Sequence, residues 1–290
     1  MNVIDKKLSY FPGCSLATTA KENNASLKSF LNHFGIELTD VPDWSCCGSS
    51  STHSINSKLA LSLAARNLFL APSDRPMLIA CPGCFLHLRQ ARMELEVSTV
   101  KQHYYEYQFD RPYNNNLHLL HFFELLVEMD AAGLFTYLKG RLKGLKIAPY
   151  YGCMLARPPS MNKEKNHYGL IEKTMSSLGA EPVRWPFISS CCGTFLSVSR
   201  PEIAEKLVNR IMKGAIRSGA ECIVTACAMC HLNLEIRCRP ENQVPVFHFS
   251  ELLSIALEGK APKDWLKRHL INPEPLLNQR QLTYCNTAHI

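Results

Sequence analysis

The feature that most constrains this chain of 290 residues is a cysteine pattern that occurs twice. In the first copy, 31 residues separate a single cysteine from an adjacent Cys-Cys pair, and 33 residues separate that pair from a Cys-x-x-Cys motif. In the second copy the same separations are 37 and 34 residues. A five-cysteine pattern repeated at an offset of 139 to 146 residues indicates duplication of one unit. The copies are Cys14, Cys46, Cys47, Cys81 and Cys84, and Cys153, Cys191, Cys192, Cys227 and Cys230.

Short apolar runs end directly before several of these cysteines. The runs at residues 8–11, 77–80, 145–151 and 222–226 predict buried strands, and the apolar spacings of three and four between them predict helices. We therefore predict an α/β fold of two pseudo-symmetric βαβ-type halves with parallel strands. Parallel strands joined by helices end at one edge of a sheet, so the cysteines at the strand carboxyl ends are expected to converge in each half.

The repeat also predicts how the chain is divided. Residues 1–98 form the first repeat and residues 145–258 form the second. Residues 99–144 are predicted to link them and to contain a helix over 119–138. Residues 259–290 form a tail whose prolines interrupt any long helix, and it either wraps around the protein or contacts a partner.

The cysteine content favours metal or redox chemistry in the cytoplasm. There are 13 cysteines but no apolar stretch typical of a secretory signal, and thiols stay reduced in the cytosol. No apolar run approaches the roughly 18 residues of a membrane span. The formal charge of +7 is carried by scattered basic residues, which does not favour nucleic acid binding.

Five thiolates in one pocket indicate a multi-iron cluster. Four cysteines suffice for structural zinc or for a cubane cluster. An adjacent Cys-Cys pair presents both sulfurs to a single zinc ion only with difficulty, whereas a cluster has several irons to accept them. The chain has no Cys-x2-Cys-x2-Cys-x3-Cys ferredoxin motif and no Gly-x-Gly-x-x-Gly motif, so its electrons are expected to come from a partner.

Both cysteine motifs resemble the cysteine-rich CCG domain family, which includes the B subunit of heterodisulfide reductase and its bacterial heterodisulfide-reductase-like counterparts. The flanking stretches at residues 10–14, 63–67 and 152–154 are also similar to that B subunit. The resemblance implies two noncubane [4Fe-4S] clusters. One is then held by Cys14, Cys46, Cys47, Cys81 and Cys84, and the other by Cys153, Cys191, Cys192, Cys227 and Cys230.

The resemblance further implies an oxidoreductase acting on sulfur groups as part of a complex. In that family the two clusters flank a cavity where a disulfide is split, and one electron reaches each sulfur. The expected partners are a small ferredoxin-like subunit, a flavoprotein subunit, and a disulfide or thiol substrate. The substrate and the direction of reaction stay open. Two alternatives remain, namely an electron-relay iron–sulfur subunit of a dehydrogenase complex and a zinc-bearing scaffold subunit.

Other chemically active residues near the motifs are interpreted as structural. Cys222, Cys238 and Cys285 lie outside the repeat. His87 and His231 follow the two Cys-x-x-Cys motifs as helix caps or surface residues, with proton donation as the alternative. The remaining candidates are interpreted as core, interface or packing residues, and they are His118, His121, Tyr150, Tyr151, Trp185 and Pro186.

Overall fold

The computed structural model describes residues 7–49, 52–156, 168–259 and 263–282. It contains two four-stranded parallel sheets with the strand orders β2-β1-β3-β4 and β6-β5-β7-β8. The predicted α/β fold with duplicated halves is therefore confirmed. The strands are β1 (Lys7–Phe11), β2 (Glu37–Asp40), β3 (Met77–Ile79), β4 (Leu119–His121), β5 (Lys146–Tyr150), β6 (Glu181–Pro182), β7 (Cys222–Thr225) and β8 (Val246–His248).

Helices connect the strands of each sheet. The first half contains α1 (Gly13–Ala17), α2 (Lys21–His33), α3 (Thr52–Ile55), α4 (Ser57–Leu70), α5 (Pro82–Val97), α6 (Thr99–Phe109) and α7 (Phe122–Ala131). The second contains α8 (Gly152–Ala156), α9 (Leu170–Ser177), α10 (Pro201–Arg217), α11 (Ala228–Arg237) and α12 (Phe249–Glu258), followed by α13 (Lys263–Leu266) and α14 (Glu274–Gln279). Short 3-10 helices lie at Thr136–Leu138, Thr194–Leu196 and Pro240–Asn242.

Local sequence explains why these elements form. Proline at the first position of α10 lacks the N–H that a helix start leaves unpaired, and one face of this helix is apolar and buried. The Asn56 side chain caps α4 by accepting from the Leu59 N–H at 3.0 Å. Strand β7 is buried along its whole length, as expected for a parallel strand covered on both faces.

The single helix predicted over residues 119–138 is confirmed only for residues 122–131, and its predicted extent is wrong. Residues 119–121 form β4, which pairs with β3, and α7 begins at Phe122. His121 ends the strand and caps the helix, because its ring accepts from the Phe123 N–H while the Glu124 carboxylate accepts from the His121 N–H. The stretch predicted as a linker thus contributes the fourth strand of the first sheet.

The same strand-to-helix junction recurs in the second half. There His248 caps α12, and the Glu251 carboxylate accepts from the His248 N–H at 2.7 Å. The sequences at the two junctions, His-Phe-Phe-Glu-Leu-Leu and His-Phe-Ser-Glu-Leu-Leu, differ at one position. Each repeat therefore extends through this junction.

The two halves share one apolar core. Helix α2 packs on α12, where the Ser26 and Ser250 hydroxyls lie 2.6 Å apart, and α7 packs on α9. The Phe122 and Phe249 rings meet with centroids 4.9 Å apart. The described part of the tail packs on the same core through Leu276 and other leucines. Among the residues that the structure describes, no helix is both long enough and apolar enough to span a membrane.

Candidate functional site

The strand ends bring the predicted cysteines of each half together. In the first half Cys14 lies in α1 directly after β1, Cys46 and Cys47 follow β2, and Cys81 caps α5 after β3. The second half places its cysteines at the corresponding points after β5, β6 and β7. All of these strands are parallel, so the cysteines lie at the carboxyl edge of each sheet, where ligands bind in α/β folds.

Sulfur atoms contact one another in both sites. The Sγ atoms of Cys46 and Cys14 lie 3.8 Å apart, and those of Cys47 and Cys84 lie 3.2 Å apart. In the second half the Sγ atoms of Cys192 and Cys230 lie 3.4 Å apart. Such packing of thiols brings several soft ligand atoms within reach of one metal centre.

Backbone N–H groups support the adjacent cysteine pairs. The Gly48 N–H points to the Cys46 Sγ at 3.4 Å, and the Gly193 N–H points to the Cys191 Sγ at 3.3 Å. Both glycines have a φ of +77°, a conformation that other residues rarely adopt. This local geometry is the same in the two halves and explains the glycine after each pair.

Hydrogen bonds between the thiols of each site shift their pKa values in opposite directions. The hydrogen bonds with Cys46 and Cys84 lower the pKa of Cys47 to about 4, and the hydrogen bond with Cys230 lowers the pKa of Cys192. The hydrogen bond with Cys47 raises the pKa of Cys84 well above its ordinary value. Each site therefore contains at least one buried cysteine that is held toward the thiolate, the form of cysteine that binds metals.

The two sites face each other. Cys81 and Cys227, which occupy the same position of each repeat, line one cavity at the boundary between the halves, and the neighbouring Cys227 lowers the pKa of Cys81. This cavity is lined by cysteines of both halves and by apolar side chains. Its lining includes Cys81, Cys153, Cys191, Cys227, Met154 and Phe195.

Exposure differs among the cysteines in the same way in both halves. The first cysteine and the first member of the adjacent pair are half-buried or exposed, as seen for Cys14 and Cys191. The remaining three are buried, and Cys47 and Cys192 are each only 1% exposed. One rim of each site is thus open to a reactant or partner, while the base is enclosed.

The donor set fits an iron–sulfur cluster. Each site offers five thiols, and iron–sulfur clusters are held by cysteine thiolates. Glycine precedes the first cysteine of each set, and a Cβ at Gly13 or Gly152 lies only 2.8 or 3.3 Å from the Sγ of Cys84 or Cys230. The backbone therefore approaches these sulfurs as closely as it can.

The other residues considered from sequence have mixed outcomes. His231 is buried, so its interpretation as a cap or surface residue is wrong, whereas His87 is half-buried. His118 is exposed rather than part of the core, and His121 is buried as predicted. Of the aromatic candidates, Tyr151 lines the cavity and Trp185 packs on Tyr150, while the neighbouring Pro186 is exposed. Of the cysteines outside the repeat, Cys222 is buried and Cys238 is half-buried. Cys285 lies outside the described residues.

Sequence analysis did not identify a buried polar cluster beside the second site. His269 lies between two carboxylates, with its Nδ1 atom 3.0 Å from Glu235 and its Nε2 atom 3.1 Å from Glu251. Burial lowers the pKa of His269, but hydrogen bonds to both carboxylates outweigh it and raise the pKa to about 10. The repeated His-Phe-x-Glu-Leu-Leu motif was the available signal, because it contains Glu251.

Comparison with known proteins gives a family and several relatives. A model of the CCG cysteine-rich domain matches residues 8–89 and 147–235, one match in each half. The 8-methylmenaquinol:fumarate reductase membrane anchor subunit of Wolinella succinogenes is 28% identical over 94% of this chain and 100% of its own length. The B subunit of the ferredoxin/F420H2-dependent CoB-CoM heterodisulfide reductase of Methanosarcina acetivorans is 29% identical over 89% of this chain and 91% of its own.

A solved structure shares the fold. A hypothetical protein from Helicobacter pylori superposes with a TM-score of 0.70 at 14% identity, over 92% of this chain. The chain spans 52% of that protein's length. At this sequence identity, the similarity shows only that the two proteins share a fold.

Proposed function

The chain belongs to the CCG cysteine-rich domain family, and from that premise we propose that it is an iron–sulfur redox subunit of a multi-subunit oxidoreductase. The observation that carries the proposal is the convergence of two matched five-cysteine sets at facing sheet edges. Two sites built alike and adjoining one cavity suit chemistry in which electrons are handled one at a time. We place the complex in the cytoplasm, where free thiols such as these persist.

We assign one noncubane [4Fe-4S] cluster to each half. When bound, each cluster supplies reversible one-electron chemistry. The chain's own residues hold it, since buried thiols form the base of each site and Gly13 and Gly152 let the backbone close around the last cysteine. The ligands are Cys14, Cys46, Cys47, Cys81 and Cys84 in the first half, and Cys153, Cys191, Cys192, Cys227 and Cys230 in the second.

The finer function that we propose is reduction or formation of a disulfide or thiol-bound sulfur substrate. Reducing a disulfide requires two electrons, and two one-electron centres beside the same bond can deliver one to each sulfur. The boundary between the halves supports this role because cysteines of both halves and the apolar side chains of Met154, Phe195 and Met229 line the same small cavity. Relatives named as B subunits of heterodisulfide reductases support the same chemistry.

A second candidate is an electron-relay subunit of a dehydrogenase or reductase complex. It is favoured by the match to the fumarate reductase subunit of Wolinella succinogenes, which extends over that protein's whole length. In this case the facing sites pass electrons between a quinol and a partner subunit rather than to a sulfur substrate.

If the chain acts on a disulfide, the expected partners are a ferredoxin-like subunit that delivers electrons to it and a flavoprotein subunit that supplies electrons to the ferredoxin-like subunit.

Anaerobic metal analysis with EPR spectroscopy tests the proposal and separates the two candidates. We expect about eight irons and eight sulfides per chain, as two [4Fe-4S] clusters require. A signal that changes with coenzyme-like thiols and not with a menaquinol analogue supports disulfide chemistry, and the reverse supports the relay. Little iron after anaerobic reconstitution, with zinc bound by sulfur instead, contradicts both and indicates a scaffold.

Closing of the backbone around Cys84 gives a further prediction. Replacing Gly13 with alanine places a Cβ 2.8 Å from the Cys84 Sγ, so this thiolate must move and the first cluster is expected to be lost, with about half of the iron. Gly35→Ala is the matched control, because Gly35 also has a positive φ but a Cβ there meets nothing within 4 Å. It is expected to cost about 1 kcal/mol of stability and no iron. Equal iron contents in the two variants would contradict the assignment.

A further inference from the structure

The buried polar cluster beside the second cysteine site joins three parts of the fold. His231 and Glu235 belong to α11, Glu251 belongs to α12, and His269 follows α13 in the tail. Asn23 of α2 adds the first half, because its Nδ2 atom lies 3.1 Å from the His231 Nδ1 atom. These side chains are almost completely buried, and their interactions therefore decide whether the segments pack together.

The ligand atoms of His231, Glu251 and His269 are arranged around a common point. One ligand atom from each lies within 4.8 Å of the other two. The Glu251 carboxylate lies 3.1 Å from the His269 Nε2 atom and 4.0 Å from the His231 Nδ1 atom. Ligands bound tetrahedrally at about 2.0 to 2.2 Å from zinc are separated by about 3.4 Å, so only small shifts are needed.

Glu235 is placed to orient both imidazoles. Its Oε1 atom lies 3.0 Å from the His269 Nδ1 atom and 3.4 Å from the His231 Nε2 atom. The His269 ring thus has one nitrogen hydrogen-bonded to this carboxylate, whereas the His231 Nε2 atom lies near it without forming a hydrogen bond. The other nitrogen of each ring lies near Glu251. Histidines that bind metals commonly donate their second N–H to a carboxylate, which fixes the tautomer and the ring.

The cluster brings three buried carboxyl groups together, and the imidazolium of His269 is the buried counter-ion of two of them. The side chains of Glu235 and Glu251 are each 3% exposed, and Glu22 beside them is 9% exposed. Arg268 is the nearby arginine, but it is 54% exposed and lies 3.9 Å from Glu22. Buried carboxylates are costly unless paired, so a divalent cation would stabilise this arrangement.

Unsatisfied oxygens also mark the site. Within the described residues, neither the Asn23 Oδ1 atom nor the Glu22 Oε2 atom accepts a hydrogen bond, and both are buried. Rotation of the Asn23 amide by half a turn exchanges its oxygen and nitrogen, and it turns the oxygen toward His231. Asn23 thereby offers a fourth ligand.

We propose that His231, Glu251 and His269 bind one zinc ion, with the Asn23 amide oxygen as the fourth ligand and Glu235 as the positioning residue. A closed four-coordinate site with nitrogen and oxygen ligands is structural rather than catalytic. Its role is to fasten the tail segment and α2 to the second half, next to Cys230. The site is separate from both cysteine sets and does not depend on the proposed function.

Zinc analysis of the iron-loaded, full-length chain tests this proposal. After anaerobic incubation with zinc chloride and removal of excess ions, we expect one zinc per chain. X-ray absorption at the zinc edge is expected to show ligands at about 2.0 to 2.1 Å and no sulfur at about 2.3 Å, which separates this site from zinc bound by cysteines. This measurement on the unaltered protein requires no variant to fold.

Variants then identify the ligands. His269→Gln is expected to lose the zinc while keeping its iron, and Glu235→Gln is expected to weaken zinc binding about 10- to 100-fold. His118→Gln is the matched control, because His118 is exposed. Absence of zinc from the unaltered chain, zinc bound only by sulfur, or full zinc content in His269→Gln overturns the proposal and leaves a buried ion triad.

Discussion

Replacing Cys47 with alanine is expected to remove the first cluster, about half of the iron and essentially all electron transfer that requires both sites. Cys47 is buried at the base of its site, where its Sγ lies 3.2 Å from that of Cys84, so water or a neighbouring side chain cannot readily replace it. Iron and sulfide analysis, with turnover in the assembled complex, measures the effect. Cys192→Ala is expected to do the same in the second half.

Cys222→Ala is the matched control for these variants. Cys222 is as buried as Cys47, but it starts β7 away from both sites, and burial raises the pKa of its thiol. It is therefore a protonated thiol in an apolar core, and its loss should cost stability without changing the iron content. If Cys47→Ala retained all its iron, the ligand assignment of the first half would be wrong.

The second large effect is expected at Glu251. Replacing it with leucine removes the carboxylate that accepts from the His248 N–H at the start of α12 and leaves the His269 and Glu235 charges buried without their third partner. Breaking a buried ion pair costs about 3 to 5 kcal/mol, which for a domain of this size lowers the melting temperature by roughly 10 °C. Thermal unfolding under anaerobic conditions, compared at equal iron content, measures the change.

Glu124→Leu provides the comparison within the same chain. Glu124 occupies the corresponding position of the first repeat and caps α7 through the His121 N–H at 2.9 Å. Its loss is expected to cost about 1 kcal/mol, as the loss of a helix cap does. Equal destabilisation by the two variants would show that the contacts of Glu251 with His269 add little.

Sequence analysis predicted the parts of the fold that depend on repetition and on strand ends. The cysteines of each half converge because Cys14, Cys46 and Cys81 each follow a parallel strand, and this order is readable from the chain. The apolar run before Cys227 was likewise predicted as a strand, and it forms β7. The binding of clusters by these cysteines is still a proposal, and the metal analyses and variants described above test it.

Features that depend on contacts between distant segments could not be predicted in the same way. Strand β4 is only three residues long and runs directly into α7, so its apolar residues merged with the helical pattern. His231 was assigned by its distance from Cys230, whereas its surroundings are set by Asn23, Glu235 and His269 of the tail. No local sequence pattern indicates that a side chain contacts a residue so far away along the chain.

The contacts between the halves have an evolutionary implication. The rings of the corresponding residues Phe122 and Phe249 are in contact, and the corresponding Cys81 and Cys227 line the same cavity. Likewise α2 packs on α12 as α9 packs on α7. Such self-matching contacts are those of an isologous interface, and two copies of an unfused single-repeat ancestor would have formed a twofold dimer through them. After fusion, the two copies no longer had to have the same sequence. Glu251 could then acquire His269 as a partner while Glu124 kept its original role as a cap.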